Sequence, residues 1–163
     1  MPILVLGIGN PIMSDDGVGA KVIQLLQSLY IFPSEVILLD GGTMGIDLLP
    51  KLEGVERLIL VDAVDTGKIP GTLVLLSGNE IPLANVTKVS PHQIELKDLL
   101  TVAELLGSLP AEIVLCGIQP AFTGLGTELS PAVSAQIGHL ADEVLLQLSR
   151  WGIRQEMTPE KKI

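Results

Sequence analysis

The chain has 163 residues, enough for one domain with a substantial core. Apolar residues make up 47% of it, which excludes global disorder, and aromatics only 2%, so the core must be aliphatic and a base-stacking surface lacks its platforms. A formal net charge of −9 also argues against a phosphate backbone as partner, and fits cations, basic partners or plain solubility.

Residues 3–9 form a short Ile/Leu/Val run that reads as a buried strand, as do 35–40 and 57–63. Between the first two, Val18, Val22, Leu25 and Leu29 make an apolar helical stripe. A short helix is expected after Thr43, limited or kinked by Pro50. A fourth strand, 72–76, follows the third across a connection too short for a helical crossover, so those two are expected to pair antiparallel. Leu96, Leu99, Ala103 and Leu106 form a second stripe. A fifth strand covers 112–118. Val133, Ile137, Leu140, Val144 and Leu148 form the last and longest stripe. Strands alternating with helices imply a three-layer α/β/α fold around a twisted, mostly parallel five-stranded sheet with one antiparallel strand. Residues 1–150 read as one α/β domain. Residues 151–163 form a polar tail, with Pro159, that is expected to fray.

One cysteine, Cys116, allows no internal disulfide and no Cys-rich metal site; its apolar run points to a buried, inert thiol. No basic residue precedes the first apolar run, and no stretch is long enough to span a bilayer. The expected location is therefore the cytoplasm, with no membrane partner.

The loop after the first strand carries Gly7, Gly9, Ser14, Asp15, Asp16, Gly17 and Gly19. Its opening Gly-x-Gly invites a dinucleotide reading, with Asp40 as the ribose-binding acid. Ile12 stands where the third glycine is needed, however, and Asp15 and Asp16 would repel a pyrophosphate at the helix N-terminus. Ser14 or Asp15 could instead cap that helix, which accounts for one acid but not the second. The glycines suggest a closely approached backbone. Asp62 ends a continuous apolar strand, where an acid is rare unless it is paired, metal-bound or capping a turn. His92 sits in Ser90-Pro91-His92-Gln93, a capping-box pattern that puts it in an exposed first helical turn. The other histidine, His139, falls off the apolar stripe of its helix and reads as solvated.

In open α/β sheets, ligands bind beyond the carboxyl ends of the strands. Asp16, Asp62 and His92 are all expected on that edge. Two carboxylates and an imidazole suit a first-row divalent metal and leave coordination positions open. Asp40-Gly41-Gly42-Thr43 joins the second strand to a helix on the same edge. It is either a tight turn or a backbone approached by a ligand chain, with Thr43 as the helix cap. No Gly-x-Ser-x-Gly elbow and no Cys–His pair supports acyl-enzyme chemistry.

Together these stretches resemble the maturation endopeptidases of nickel–iron hydrogenases. The likeness rests on residues 3–10, on Asp15-Asp16-Gly17-Val18-Gly19, on Leu39-Asp40-Gly41-Gly42-Thr43, on Leu60-Val61-Asp62-Ala63, on Pro70-Gly71-Thr72 and on Ser90 to Gln93; it runs from the first residue to about Arg150. The resemblance implies a hydrolase that removes a C-terminal extension from the nickel-loaded precursor of a hydrogenase large subunit. It further implies that Asp16, Asp62 and His92 are the metal-binding and catalytic groups, and that Asp40, Gly41 and Gly42 recognise substrate. Nickel is then expected to arrive on the substrate, and other divalent metals to occupy the site in vitro. A monomer is favoured. Some members carry Glu where this chain has Asp16. Two rivals remain: a metal-binding accessory protein without protease activity, and a response-regulator-like signalling module. The latter lacks its lysine, because Gln119 and Pro120 follow the fifth strand.

Overall fold

The structure is a computed structural model that describes residues 2–81 and 91–159, the side chains of 79 and 91–97 excepted. The elements are β1 (Ile3–Ile8), a 3-10 turn (Ser14–Gly17), α1 (Val18–Leu29), β2 (Tyr30–Ile31), β3 (Val36–Gly42), a second 3-10 turn (Gly45–Leu48) and α2 (Leu49–Leu52). They continue with β4 (Arg57–Ala63), β5 (Leu73–Ser77), a third 3-10 turn (Gly78–Glu80), α3 (Pro91–Leu105), β6 (Glu112–Ile118), α4 (Pro131–Ser134), α5 (Ile137–Arg150) and β7 (Glu156–Met157).

Five strands form one sheet in the order β3-β1-β4-β6-β5. All neighbours are parallel except β5, which runs antiparallel to β6. The sheet is covered on both faces, and strand alternation sorts the aliphatic side chains between them. On one face Ile3, Val5, Ile59, Val61, Cys116 and Ile118 pack against Val22 and Leu26 of α1 and Leu140, Val144 and Leu148 of α5. On the other, Leu4, Leu6, Leu58, Leu60 and Leu115 meet Leu48, Leu52, Leu99 and Ala103. The expected three-layer fold with one antiparallel strand is therefore the observed one.

Several details differ from the sequence reading. Strands 57–63 and 72–76 were expected to pair with each other, but β6 lies between them; β5 pairs with β6 in the register Leu73↔Ile118 to Ser77↔Val114. The stripe on α1 is rotated, burying Val18, Val22, Ile23 and Leu26, while Leu25 and Leu29 are half-buried. The last stripe is split into α4 and α5, although Val133, Leu140, Val144 and Leu148 stay buried on the same face. Leu106 lies past the end of α3 and is exposed. Pro50 does not limit a helix but sits in the first turn of α2, where its missing N–H costs nothing. The tail is tied down over part of its length: β7 pairs antiparallel with β2, and Thr158 N–H donates to Leu29 C=O.

Among the described residues, no helix is long and apolar enough to cross a membrane. Cys116 is 1% exposed. Burial pushes its thiol from an ordinary value of 9.0 up to about 12; Glu143 adds to the rise and Arg150 partly offsets it. Native protein at pH 8 should therefore resist iodoacetamide while denaturant-unfolded protein is alkylated at Cys116, as read by mass spectrometry. Rapid alkylation of the native state would contradict this burial. Between pH 9.0 and about 12 the unfolded thiol ionises while the buried one keeps its proton, so stability should fall as pH rises through that window.

Candidate active site at the carboxyl edge of the sheet

Asp62 sits next to the last residue of β4, paired in register with Gly117 of β6, and is 1% exposed. Its neighbours Val61 and Ala63 are buried too, so both flanking residues hold the backbone in place. Asp16 lies in the 3-10 turn that enters α1 and is 6% exposed. That turn packs against β4. One Asp16 carboxylate oxygen, Oδ2, accepts the Asn10 N–H at 2.9 Å, and the Asp16 N–H donates to Met13 C=O. Both carboxylates thus occupy the carboxyl edge of the central strands β1 and β4, as expected.

His92 lies in the first turn of α3, which starts at Pro91 as expected; its side chain and Ser90 lie outside the described residues. The helix runs 15 residues, roughly 22 Å at 1.5 Å per residue, and a short connection leads from its end to the start of β6. The opposite end of α3, with residue 92, is therefore at the carboxyl edge. His139 is exposed, with Nδ1 2.7 Å from Gln136 Oε1, as its position off the stripe implied. Among the described residues no three His, Cys, Asp or Glu side chains gather to hold a metal; Asp16 and Asp62 are the described members of the candidate set.

The capping reading of Ser14 and Asp15 does not hold. The residues preceding the 3-10 turn and α1 are Met13 and Gly17, and neither makes a side-chain cap. Asp15, fully buried, instead reaches across the edge. Its Oδ2 accepts Ala121 N–H at 2.9 Å, Phe122 N–H at 3.1 Å and Ser130 Oγ–H at 2.8 Å, and its Oδ1 accepts Ser130 N–H at 2.7 Å. The close approach inferred from the glycines is to the chain itself. A Cβ on Gly19 would lie 2.5 Å from Val61 O and 2.6 Å from Ile8 O, and one on Gly17 2.8 Å from Pro11 Cα. These glycines let α1 begin directly over β1 and β4.

Gln119, which the sequence reading noted only as a missing lysine, organises the loop after Asp62. Its Oε1 accepts Thr66 N–H at 2.8 Å and Lys68 N–H at 3.2 Å, and its Nε2 donates to Asp65 Oδ1 at 3.0 Å. Neither role left a sequence signal, because the partners lie 51 to 115 residues away.

Asp40-Gly41-Gly42 closes β3, an edge strand. The pairing of β1 with β3 slips between Gly7↔Asp40 and Ile8↔Gly42, leaving Gly41 as a bulge. Asp40 is exposed and its Oδ1 accepts Gly42 N–H at 3.0 Å. Thr43 does not cap the following turn, whose preceding residue is Met44 and carries no side-chain cap. The two glycines differ. A Cβ on Gly41 would meet Leu6 Cδ1 at 2.8 Å and Leu48 Cδ1 at 3.1 Å, whereas Gly42 has φ +52° and open space. Gly41→Ala should therefore destabilise by about 1–2 kcal/mol through overpacking. Gly42→Ala should cost roughly 1 kcal/mol from backbone strain alone. Thermal denaturation of the two would expose the difference; equal melting temperatures would refute it.

Comparison with known proteins bears on what this edge does. The family model described as hydrogenase maturation protease matches residues 20–147. The Escherichia coli hydrogenase 2 maturation protease is 36% identical, covering 100% of this chain and 99% of that one. The chain belongs to the hydrogenase maturation protease family. It is 41% identical to the Rhodobacter capsulatus hydrogenase expression/formation protein HupD over 93% of this chain and 73% of that protein. The solved E. coli hydrogenase maturating endopeptidase HybD superposes with a TM-score of 0.92 at 34% identity, covering 98% of this chain and 99% of that one. A NiFe hydrogenase maturation protease from Thermococcus kodakarensis superposes at 0.75 and 30% identity, covering 90% of this chain and 99% of that one. The protein is thus an endopeptidase, and the signalling-module and accessory-protein readings fall away.

Proposed function

We propose that this protease removes the C-terminal extension of a hydrogenase large-subunit precursor only after nickel is in place, and that Asp16, Asp62 and His92 complete the shell of the nickel carried by that substrate. The observation that carries the reading is the pair of buried carboxylates, Asp16 and Asp62, on two adjacent elements at the carboxyl edge. Acids that deep are kept for pairing or metal binding. Carboxylate oxygens with an imidazole nitrogen fit a first-row divalent ion, and three such donors leave positions for ligands the substrate brings. The NiFe designation of the T. kodakarensis relative supports the identity of the metal. Asp40, Gly41 and Gly42 form the neighbouring contact for the substrate chain, since Asp40 is exposed and Gly42 lies in open space beside the end of β1.

In this scheme the metal-bearing precursor docks through its nickel, and the bond to be cut is held beside the carboxylates. Such positioning is worth several kcal/mol of barrier, because a bimolecular encounter becomes intramolecular. The protease works on a precursor in the cytoplasm and needs no nucleic acid or membrane. The test sets purified nickel-containing precursor beside apo-precursor, each mixed with this protein, with the large-subunit mass read before and after. Cleavage should be confined to the metallated form, and free nickel added to the protease should not rescue the apo form. Equal processing of both precursors would end the gating reading.

A further inference from the structure

The segment 119–130 between β6 and α4 has no regular secondary structure, yet it bonds to the chain on both sides of the site. On the Asp16 side, Ser14 N–H donates to Gly126 C=O at 2.9 Å, Gly126 N–H to Ile12 C=O at 2.9 Å, and Asp15 N–H to Phe122 C=O at 3.0 Å. Ser14 Oγ–H donates to Gly124 C=O at 2.8 Å. The Asp15 carboxylate gathers Ala121, Phe122 and Ser130, as above. Ser14 is held at φ 53°, a left-handed conformation that a non-glycine residue adopts only when its surroundings impose it. On the Asp62 side, Gln119 binds Thr66, Lys68 and Asp65 through its side chain and Thr72 and Gly71 through its backbone.

We propose that Asp15 is a positioning residue: through segment 119–130, anchored at its other end by Gln119, it fixes the turn that carries Asp16 relative to the strand that carries Asp62. The inference rests on the reading of Asp16 and Asp62 as the groups that meet the substrate's metal. Its physical basis is the geometry of the turn. Asp16 follows Asp15 directly, so a rotation of residue 15 is passed to the Asp16 carboxylate. The Asp15 carboxylate is itself buried and takes four hydrogen bonds from partly buried partners, so water cannot readily replace a donor it loses. A reacting geometry displaced by about 1 Å loses on the order of 100-fold in rate, so a clamp of this kind should register in kcat.

The experiment compares Asp15→Asn, Asp15→Ala and Ser130→Ala with Asp16→Ala as reference and Leu140→Ala as a core variant that destabilises without removing a hydrogen bond to the segment. Each is assayed for kcat and KM on nickel-containing precursor well below its melting temperature, and the protease alone is titrated with cadmium by calorimetry. Asp15→Asn, which keeps one acceptor oxygen, should lower kcat roughly 10-fold and weaken cadmium binding, with KM within about 2-fold. Asp15→Ala should lower kcat further, and Ser130→Ala less. Leu140→Ala should leave kcat and cadmium affinity as in the parent. If Asp16→Ala abolishes both signals while Asp15→Asn and Ser130→Ala keep parental kcat and cadmium affinity, positioning by Asp15 is wrong and the reading of Asp16 stands. If Asp16→Ala itself keeps both signals, that reading is wrong and there is nothing for Asp15 to position. A loss of kcat in Leu140→Ala equal to that in Asp15→Asn would reduce the effect to stability and overturn the proposal.

Discussion

Gly9→Ala should cripple the protease while Gly42→Ala, at a position with the same sign of φ, should lower its stability by only roughly 1 kcal/mol. Gly9 has φ +122°, and a Cβ built there would stand 1.8 Å from Asp16 O, 3.0 Å from Asp16 C and 3.6 Å from its carboxylate carbon. The two nearest are backbone atoms of the turn that carries a proposed metal-facing carboxylate, and they have no rotamer through which to yield. Gly9 N–H also donates to Gly42 C=O at 3.0 Å, so the same residue joins the Asp16 turn to the Asp40-Gly41-Gly42 bulge. Backbone strain and overpacking together should cost about 2–5 kcal/mol. For a domain of this size that is a fall in melting temperature on the order of 5–15 °C. Because relief requires the 3-10 turn to move, cleavage should drop on the order of 100-fold even in the fraction that folds. Gly42, with nothing within 4 Å, supplies the comparison in which positive φ is present and the clash is absent. Circular-dichroism melting of both variants and a precursor-cleavage assay of Gly9→Ala against the parent would decide it; a Gly9→Ala protein with parental melting and activity would show that the turn is not held where the backbone places it.

The sheet was legible in the sequence because its strands are buried on both faces. β1, β4 and β6 are near-continuous aliphatic runs, and such runs have few other readings when helical stripes separate them. What was not legible is order in space. Chain proximity suggested that β5 would lie beside β4. The connection after β4 instead passes over the edge of β6, and Gln119, a residue of no motif, receives it. Two-residue strands such as β2 and β7 leave no periodicity at all. At the site, the acids were found by type and position: an acid at the end of an apolar strand and two after the first strand both stand out. Their division of labour was not. Asp15 and Asp16 are adjacent and chemically identical, and only the fold shows that one binds the segment beyond β6 while the other accepts from Asn10. A capping pattern was the local explanation of Asp15, and a set of long-range hydrogen bonds overrode it. Gly17 and Gly19 suggested a closely approached backbone; what approaches is the sheet at Gly19 and the loop residue Pro11 at Gly17.

Asp62→Asn should lower the cleavage rate by about 100-fold or more while leaving the fold intact. The side chain leaves β4 one residue before its end, between Val61 at 0% and Ala63 at 2% exposure, with its backbone in the ladder opposite Gly117. A group so enclosed cannot be replaced by a neighbour swinging in, and water cannot take its place at the cost it would at a surface. Asparagine keeps the shape and one carbonyl oxygen, so the strand, the ladder and the packing on both faces should survive, with a change in melting temperature of a few degrees at most. What is removed is the negative charge. An amide is a far poorer ligand for a divalent cation than a carboxylate, and it has little basicity with which to take a proton from water. Either role for Asp62, ligand or base, predicts a rate loss of about 100- to 1000-fold, by analogy with removal of a single charge-stabilising group elsewhere. The roles separate on binding. If Asp62 meets the substrate's nickel, Asp62→Asn should also weaken association with the metallated precursor and leave its weak association with the apo-precursor unchanged, as measured by surface-immobilised titration. If it acts only on water, the two affinities should both stay at parental values while turnover is lost. Retention of turnover within 10-fold of the parent would remove Asp62 from the site under either role, and with it the central pairing of Asp16 and Asp62 at the carboxyl edge.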